Sequence, residues 1–230
     1  MPYCASFRFR VVALAVLLLG CTRTPDSAAA DVPDTDVRKL PNDRKVGTPD
    51  RMMETADVSR VIGQKSAPVK MLVISDYQCD SCRLWFEQQL PVVRTDYIET
   101  GKVRLTWVHY PLRSHPAAVR AASASLCAGA QGKFWEASAR LFSNQRLWGA
   151  SARPDTLIDS LAIAAGSEAF TLKNCTVSGR MLRQVRRDID WTDTTKAGAP
   201  PTVIIGTRRL SGVAALTMWR AAVDSALAGK

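Results

Sequence analysis

Two cysteines separated by two residues, Cys79 and Cys82, stand where an apolar run of strand length gives way to a helical pattern. That junction constrains the fold more than any other feature of the chain. Residues 69–75 are short, apolar and rich in β-branched side chains; beyond Cys79, the apolar Leu84, Trp85, Leu90 and Val93 recur at helical spacing. A helix N-terminus carries unpaired N–H groups and a partial positive charge, so a thiolate placed there is stabilised. Strand, Cys-x-x-Cys, helix is therefore the geometry of a thiol–disulfide exchange site. An inert disulfide and half of a zinc site are the other readings. Zinc needs two more ligands, and the chain has no second Cys-x-x-Cys and no His-x-x-x-His.

The N-terminus speaks to compartment. Arg8 and Arg10 precede an uninterrupted apolar run over 11–19, and Leu18-Leu19-Gly20-Cys21 follows at once. Such a run is too short to span a bilayer, which takes about 20 residues. Residues 1–20 thus read as a signal peptide, and the Leu-x-Gly-Cys ending resembles a bacterial lipobox with Cys21 as the lipidated residue. Leu19 is bulkier than is usual there, and an ordinary secretory signal cut near Ala28–Ala30 is the alternative. With Cys4 removed and Cys21 lipidated, four thiols remain: Cys79, Cys82, Cys127 and Cys175. An even count in an exported chain suggests two pairs, the second being Cys127–Cys175. Two unpaired small residues buried in separate helices are the alternative.

Residues 21–56 hold no aromatic residue and are rich in Asp, Thr, Ala, Arg and Pro, a composition that buries too little apolar surface to fold. Pro25, Pro33, Pro41 and Pro49 are each followed by Asp or Asn, a loose repeat of turn dipeptides. The stretch reads as a flexible tether, with a root-mean-square reach of roughly 30 Å for about 35 residues.

From 57 to 230 the chain has the length of one domain. The pattern predicts strands at 58–62, 69–75, 102–110, 202–205 and 208–210. A helix follows the Cys-x-x-Cys, broken or kinked at Pro91 and ended by Gly101. A helical block runs from about 114 to 196, and a last helix covers 213–228. Strands, helices, then strands again imply one α/β sheet interrupted by a helical insertion.

Three stretches, SDYQCDSCRLWF, HYPLRSHPAAVRAASASLCAGAQGKFWEASARLFSNQ and AGAPPTVIIGTRRLSG, resemble the DsbA-like branch of the thioredoxin superfamily, whose members carry a helical domain inserted into a thioredoxin fold. The resemblance implies disulfide exchange with client proteins, Cys79 as exposed nucleophile and Cys82 as buried resolving partner. It also implies a cis-proline loop packed against the cysteines. Pro201-Thr202 fits the family's Pro-Thr-hydrophobic strand, which assigns Pro201; a shift of one residue would choose Pro200. With Pro200 in front, the main-chain donor that relatives offer to substrate is missing, a loss of roughly 1 kcal/mol of recognition.

Asp80 and Ser81 depart from the Pro and His or aromatic residues of strongly oxidising relatives. A helix terminus offers a thiolate roughly 0.3–2 kcal/mol. A carboxylate at about 7 Å opposes it by roughly 0.6 kcal/mol in water, or about 2.4 kcal/mol at an effective dielectric of 20. The two effects nearly cancel, and a mild oxidant is expected, with a reductase or isomerase role open. Arg83 would help the thiolate if it folded back.

His109 and His115 read as structural, although proton buffering or metal binding is open to them. Trp85, Trp107 and Trp135 lie on apolar faces and read as core, with Trp85 near enough to line a substrate groove. The formal charge is +10, and losing Arg8 and Arg10 leaves +8. Arg180, Arg183, Arg186 and Arg187 form a solvated face or a basic stripe toward anionic lipid. No nucleic-acid module or phosphate loop is present. The reading is a lipid-anchored thiol:disulfide oxidoreductase of the periplasm or cell-envelope exterior, without bound cofactor or metal. Its partners would be cysteine-bearing clients and a membrane redox partner, a quinone-linked oxidase or a reductant. A non-catalytic client-binding lipoprotein and a copper-binding one are the rivals.

Overall fold

The computed structural model describes residues 37–39 and 51–229. Five strands form one mixed sheet in the order β1-β3-β2-β4-β5: β1 Val61–Ile62, β2 Val69–Ser75, β3 Val103–His109, β4 Thr202–Ile205 and β5 Arg208–Ser211. β2 lies in the middle, parallel to β3 with Val69 opposite Val103 and Ser75 opposite His109, and antiparallel to β4. A parallel pair needs a long crossover, and the helical run from Asp80 to Ile98 supplies it. Both faces of β2 are covered. Met71 and Val73 join the main core, while Ile74 packs with Val108 and Ala197 on the other side. That coverage explains the near-continuous apolar sequence of the strand.

The crossover is not broken at Pro91. A proline inside a helix lacks the N–H for its own i→i−4 bond and crowds the carbonyl four residues back. Here the turn before it widens to π geometry over Trp85–Gln89, with the N–H of Leu90 donating to the carbonyl of Trp85, and the helix continues as Leu90–Val93. A second π turn, Arg94–Ile98, follows. Gly101, at φ +73°, ends the run in the left-handed conformation that glycine adopts without strain.

Between β3 and β4 lie six helices, α4 Ala118–Gly129, α5 Phe134–Ser143, α6 Gln145–Gly149, α7 Pro154–Ala164, α8 Ala169–Val177 and α9 Leu182–Thr194. The chain then returns to the sheet and ends in α10 Leu216–Leu227, which packs on β2 and β4. α4 is buried along nearly its whole length because α1 (Arg51–Ser59), α5, α7, α8 and α9 all pack against it. The shared core is strongly aromatic. Trp85, Trp107 and Trp219 are fully buried, with ring centroids 6.1 Å apart for Trp85–Trp107 and 5.8 Å for Trp85–Trp219. Trp85 is therefore core and lines no substrate groove.

The expected tether and first strand are corrected in part. Residues 51–59 form helix α1, overlapping both the tether reading of 21–56 and the strand reading of 58–62. Met53 and Ala56, three apart, share one buried face, and α1 lies so close to α4 that a Cβ on Gly129 would sit 2.4 Å from the Ser59 hydroxyl. Val58 is exposed, and the strand reduces to Val61–Ile62. Residues 37–39 form a short 3-10 turn with Val37 buried. Arg38 holds that turn down by donating to the Pro111 carbonyl at 2.9 Å and pairing with Asp193 at 3.4 Å. The signal segment 1–20, Cys21 and the rest of the tether lie outside the described residues.

Candidate active site

At the end of β2 the chain leaves the sheet through a tight turn. The carbonyl of Ser75 accepts from Tyr110 N–H at 2.8 Å, and Asp76 then organises the next residues. Its Oδ1 accepts from Gln78 N–H at 2.7 Å, and its carbonyl accepts from Cys79 N–H at 3.2 Å. An Asx side chain that binds the backbone two residues on stabilises such a turn. Cys79 follows as the N-cap of α2 Asp80–Leu84, with φ −81° and ψ 119°. It is half-buried, whereas Cys82, one turn further on, has no exposed surface. The two sulfurs are free thiols. The Cys79 thiol points to the carbonyl of Pro200 at 3.8 Å, and the Pro200–Pro201 bond is cis. The Cys82 sulfur accepts from Asp76 N–H at 3.5 Å.

The environment separates the two thiols chemically. The hydrogen bond from the Cys82 thiol, joined by the N–H groups of Cys82 and Ser81, lowers Cys79 from 9.0 to about 7, against burial and the Asp76 charge. Burial first, and then the neighbouring Cys79 sulfur, push Cys82 well above 9.0. One cysteine is thus reachable and ionisable near neutrality, while its neighbour stays a protonated thiol.

Asp76 is the carboxylate whose charge opposes the Cys79 thiolate. It is itself raised by burial, with the Leu112 and Gln78 N–H groups and His115 acting against the rise. Its Oδ2 accepts from Leu112 N–H at 2.8 Å and meets His115 Nδ1 at 2.7 Å. Asp80 is placed differently: its side chain is 72% exposed and lies 3.6 Å from Arg83. Arg83 also reaches Glu87 at 3.0 Å and donates through Nε to Gln145 Oε1 at 3.3 Å.

A thioredoxin family model matches residues 55–225. The chain belongs to the thioredoxin family. Within it the chain is DsbA-like, a thioredoxin fold with a helical block between β3 and β4. It is similar to BdbD from Bacillus subtilis, whose oxidised crystal structure covers 74% of this chain and 93% of its own, with a TM-score of 0.68 and 24% identity. Disulfide bond formation protein D of Bacillus subtilis is 24% identical over 175 residues, 74% of this chain and 78% of that protein. The Na(+)/H(+) antiporter NhaA 1 of Salinispora arenicola is 30% identical over 174 residues, 75% of this chain. This thioredoxin-family chain spans only 25% of the length of that antiporter.

Of the residues singled out from the sequence, Cys79, Cys82, Ser81 and Pro200 meet at this turn. Pro201 and Thr202 are buried just beyond it, the Thr202 hydroxyl donating to the Ala199 carbonyl. Cys127 and Cys175 belong to the helical block, where a disulfide joins α4 to α8. His109 is buried, its ring 5.7 Å from Tyr77 and 5.9 Å from Phe134. Among the described residues no group of three or more His, Cys, Asp or Glu side chains is placed to hold a metal ion. Two of the four arginines of the supposed stripe engage carboxylates: Arg186 meets Asp190 at 2.6 Å and Arg187 meets Asp57 at 3.6 Å. Sequence reasoning missed Asp76, Gln78 and Gln145. Asp76 and Gln78 stand inside the Ser-Asp-Tyr-Gln-Cys run, while Gln145 closes the second stretch that carries the resemblance; their place in those stretches was the available signal.

Proposed function

We propose that this protein is an extracytoplasmic thiol:disulfide oxidoreductase that exchanges disulfides with client proteins through Cys79 and Cys82. The observation that carries the reading is the asymmetry of the pair. Cys79 is half-exposed, lowered to about 7 and set under the Pro200 carbonyl, while Cys82 is fully buried and raised. In the oxidising direction a client thiolate attacks the Cys79 sulfur of the Cys79–Cys82 disulfide, and the Cys82 sulfur leaves with the electron pair and takes up a proton. A second client thiolate then attacks the client sulfur of the mixed disulfide and releases Cys79 as thiolate. The client loses two electrons and the Cys79–Cys82 pair gains them. A membrane redox partner, a quinone-linked oxidase, accepts them to regenerate the disulfide. The cis-proline loop, Pro200 to Thr202, lies where a client strand would run. There Pro200 has an acceptor to offer and no N–H.

A reductase or isomerase of the same fold is the second reading, and the Cys79 value favours keeping it. Strong oxidants of this class hold the nucleophile near a pKa of about 3.5, against about 7 in thioredoxin, and Cys79 sits at about 7. A mild couple follows, because thiolate stabilisation is what makes a disulfide oxidising. The lipobox ending at Cys21 supports a lipid anchor outside the cytoplasm. Among the described residues no helix is long and apolar enough to cross a membrane. Equilibration with glutathione buffers, with the Cys127–Cys175 disulfide followed separately, tests the proposal. A potential toward the oxidising end makes the protein a disulfide donor, and one near thioredoxin's makes it a reductase or isomerase. Absence of any reversible couple at Cys79–Cys82 ends the oxidoreductase reading.

A further inference from the structure

The helical block does more than cover the sheet, because one of its side chains reaches the redox turn from outside. Gln145, the first residue of α6, is 4% exposed, and each end of its amide is engaged. Nε2 donates to the Tyr77 carbonyl at 2.7 Å and to the Cys79 carbonyl at 3.0 Å; Oε1 accepts from Arg83 Nε at 3.3 Å. A buried amide has two N–H donors, and both are spent on the backbone that presents the nucleophile. The two carbonyls belong to the peptide units on either side of the Gln78–Cys79 step. Holding both fixes the direction in which the Cys79 side chain leaves the turn. It also fixes that side chain against the N–H groups of Ser81 and Cys82, which stabilise its thiolate. The Cys79 carbonyl accepts from Arg83 N–H at 3.1 Å as well, the first bond of α2, so Gln145 ties the start of that helix to α6. The charged Arg83 donor at Oε1 polarises the amide and strengthens its other two bonds. Gln78 is held from the same side, its Oε1 accepting from Ala117 N–H at 2.7 Å just before α4.

We infer that Gln145 is a positioning residue for disulfide exchange: bonded to the Tyr77 and Cys79 carbonyls, it holds the nucleophile's turn in the geometry that stabilises the Cys79 thiolate. The inference rests on the exchange function proposed above. Gln145→Met keeps the length of the side chain and removes both donors and the acceptor. The readouts are the pH midpoint of Cys79 alkylation by iodoacetamide in the reduced protein and the glutathione equilibrium of wild type and variant. Expected is a midpoint raised by about half a unit to one unit in Gln145→Met, a roughly three- to tenfold loss of thiolate preference. Gln145→Asn, too short to reach both carbonyls, should move it part of the way, and it is read alone if Gln145→Met does not fold. A midpoint unchanged in a folded variant, with only thermal stability lowered, overturns the inference and leaves the exchange function standing. A wild type without a reversible couple overturns both.

Discussion

Replacing Cys82 with Ala in the reduced protein tests what makes Cys79 reactive. The Cys82 thiol is the largest influence on Cys79, ahead of the backbone N–H groups of Cys82 and Ser81. At about 7, against an ordinary 9.0, roughly half of Cys79 is thiolate at pH 7, where an ordinary thiol is about 1% ionised. That is a gain of roughly 50-fold in the reactive form. A less basic sulfur is also a weaker nucleophile; a Brønsted slope of about 0.4–0.5 over about two units takes back roughly six- to tenfold. The net advantage at pH 7 is about five- to eightfold, and it inverts above about pH 8, where the ordinary thiol is ionised enough for its greater nucleophilicity to win. The sign for stability follows from a depressed value. Relative to ordinary thiols, the extra stability of the reduced form is complete above 9.0 and is lost as the pH falls through about 7. Cys82→Ala removes the thiol donor and spares the helix N–H groups. The alkylation midpoint should therefore climb from about 7 toward 9.0 without reaching it, and the rate at pH 7 should fall by no more than about eightfold. The assay is iodoacetamide labelling of Cys79 between pH 5 and 10, on the order of a dozen points, with the site confirmed by mass spectrometry. A midpoint that stays put when Cys82 is gone would refute the reasoning.

Other expectations rest on different parts of the molecule. Asp80→Asn should leave the Cys79 midpoint within about 0.3 unit, since Asp80 is exposed and faces Arg83, whereas Asp76→Asn should lower it by removing the opposing charge; the reverse order would contradict the electrostatics. The Cys127→Ala, Cys175→Ala double variant opens a link spanning 48 residues. The chain-entropy relation puts its worth at about 4 kcal/mol, readable in urea unfolding, and a change under about 1 kcal/mol would discount it. Arg60→Met leaves Asp188 buried without the cation that lies 2.5 Å away. A loss of about 3–5 kcal/mol is expected, and unchanged thermal unfolding would count against it.

The junction of strand, Cys-x-x-Cys and helix was legible because its signals are local. A strand composition, a helical period and two cysteines two apart need no distant partner to be recognised, and Gly101 marks the helix end by its own conformational freedom. The failures have an equally physical source. α1 was hidden because only Met53 and Ala56 of its residues are fully buried, too thin an apolar face to stand out from a Pro- and Asp-rich neighbourhood. Pro91 reads as a break in any local rule, yet the helix absorbs it by widening one turn. The strength assigned to Asp80 was a distance argument along the chain. Arg83, bonded to Gln145 of the helical block, lies 3.6 Å from Asp80, a contact that such an argument leaves out.

By itself the sequence determined the chemistry available, a pair of thiols at a helix N-terminus on a central strand, with a proline pair and an insertion large enough to flank them. Tertiary structure alone decided how the two thiols differ. Cys82 became the protonated partner because the packed core removes it from water, and a charge is costly there. Cys79 became the reactive one because N–H donors and the Cys82 thiol converge on it. Asp76, His115, Gln78 and Gln145 joined the site through bonds to residues 39, 39 and 68 positions away, contacts that no local pattern announces, since they exist only once the helical block has folded back over the turn.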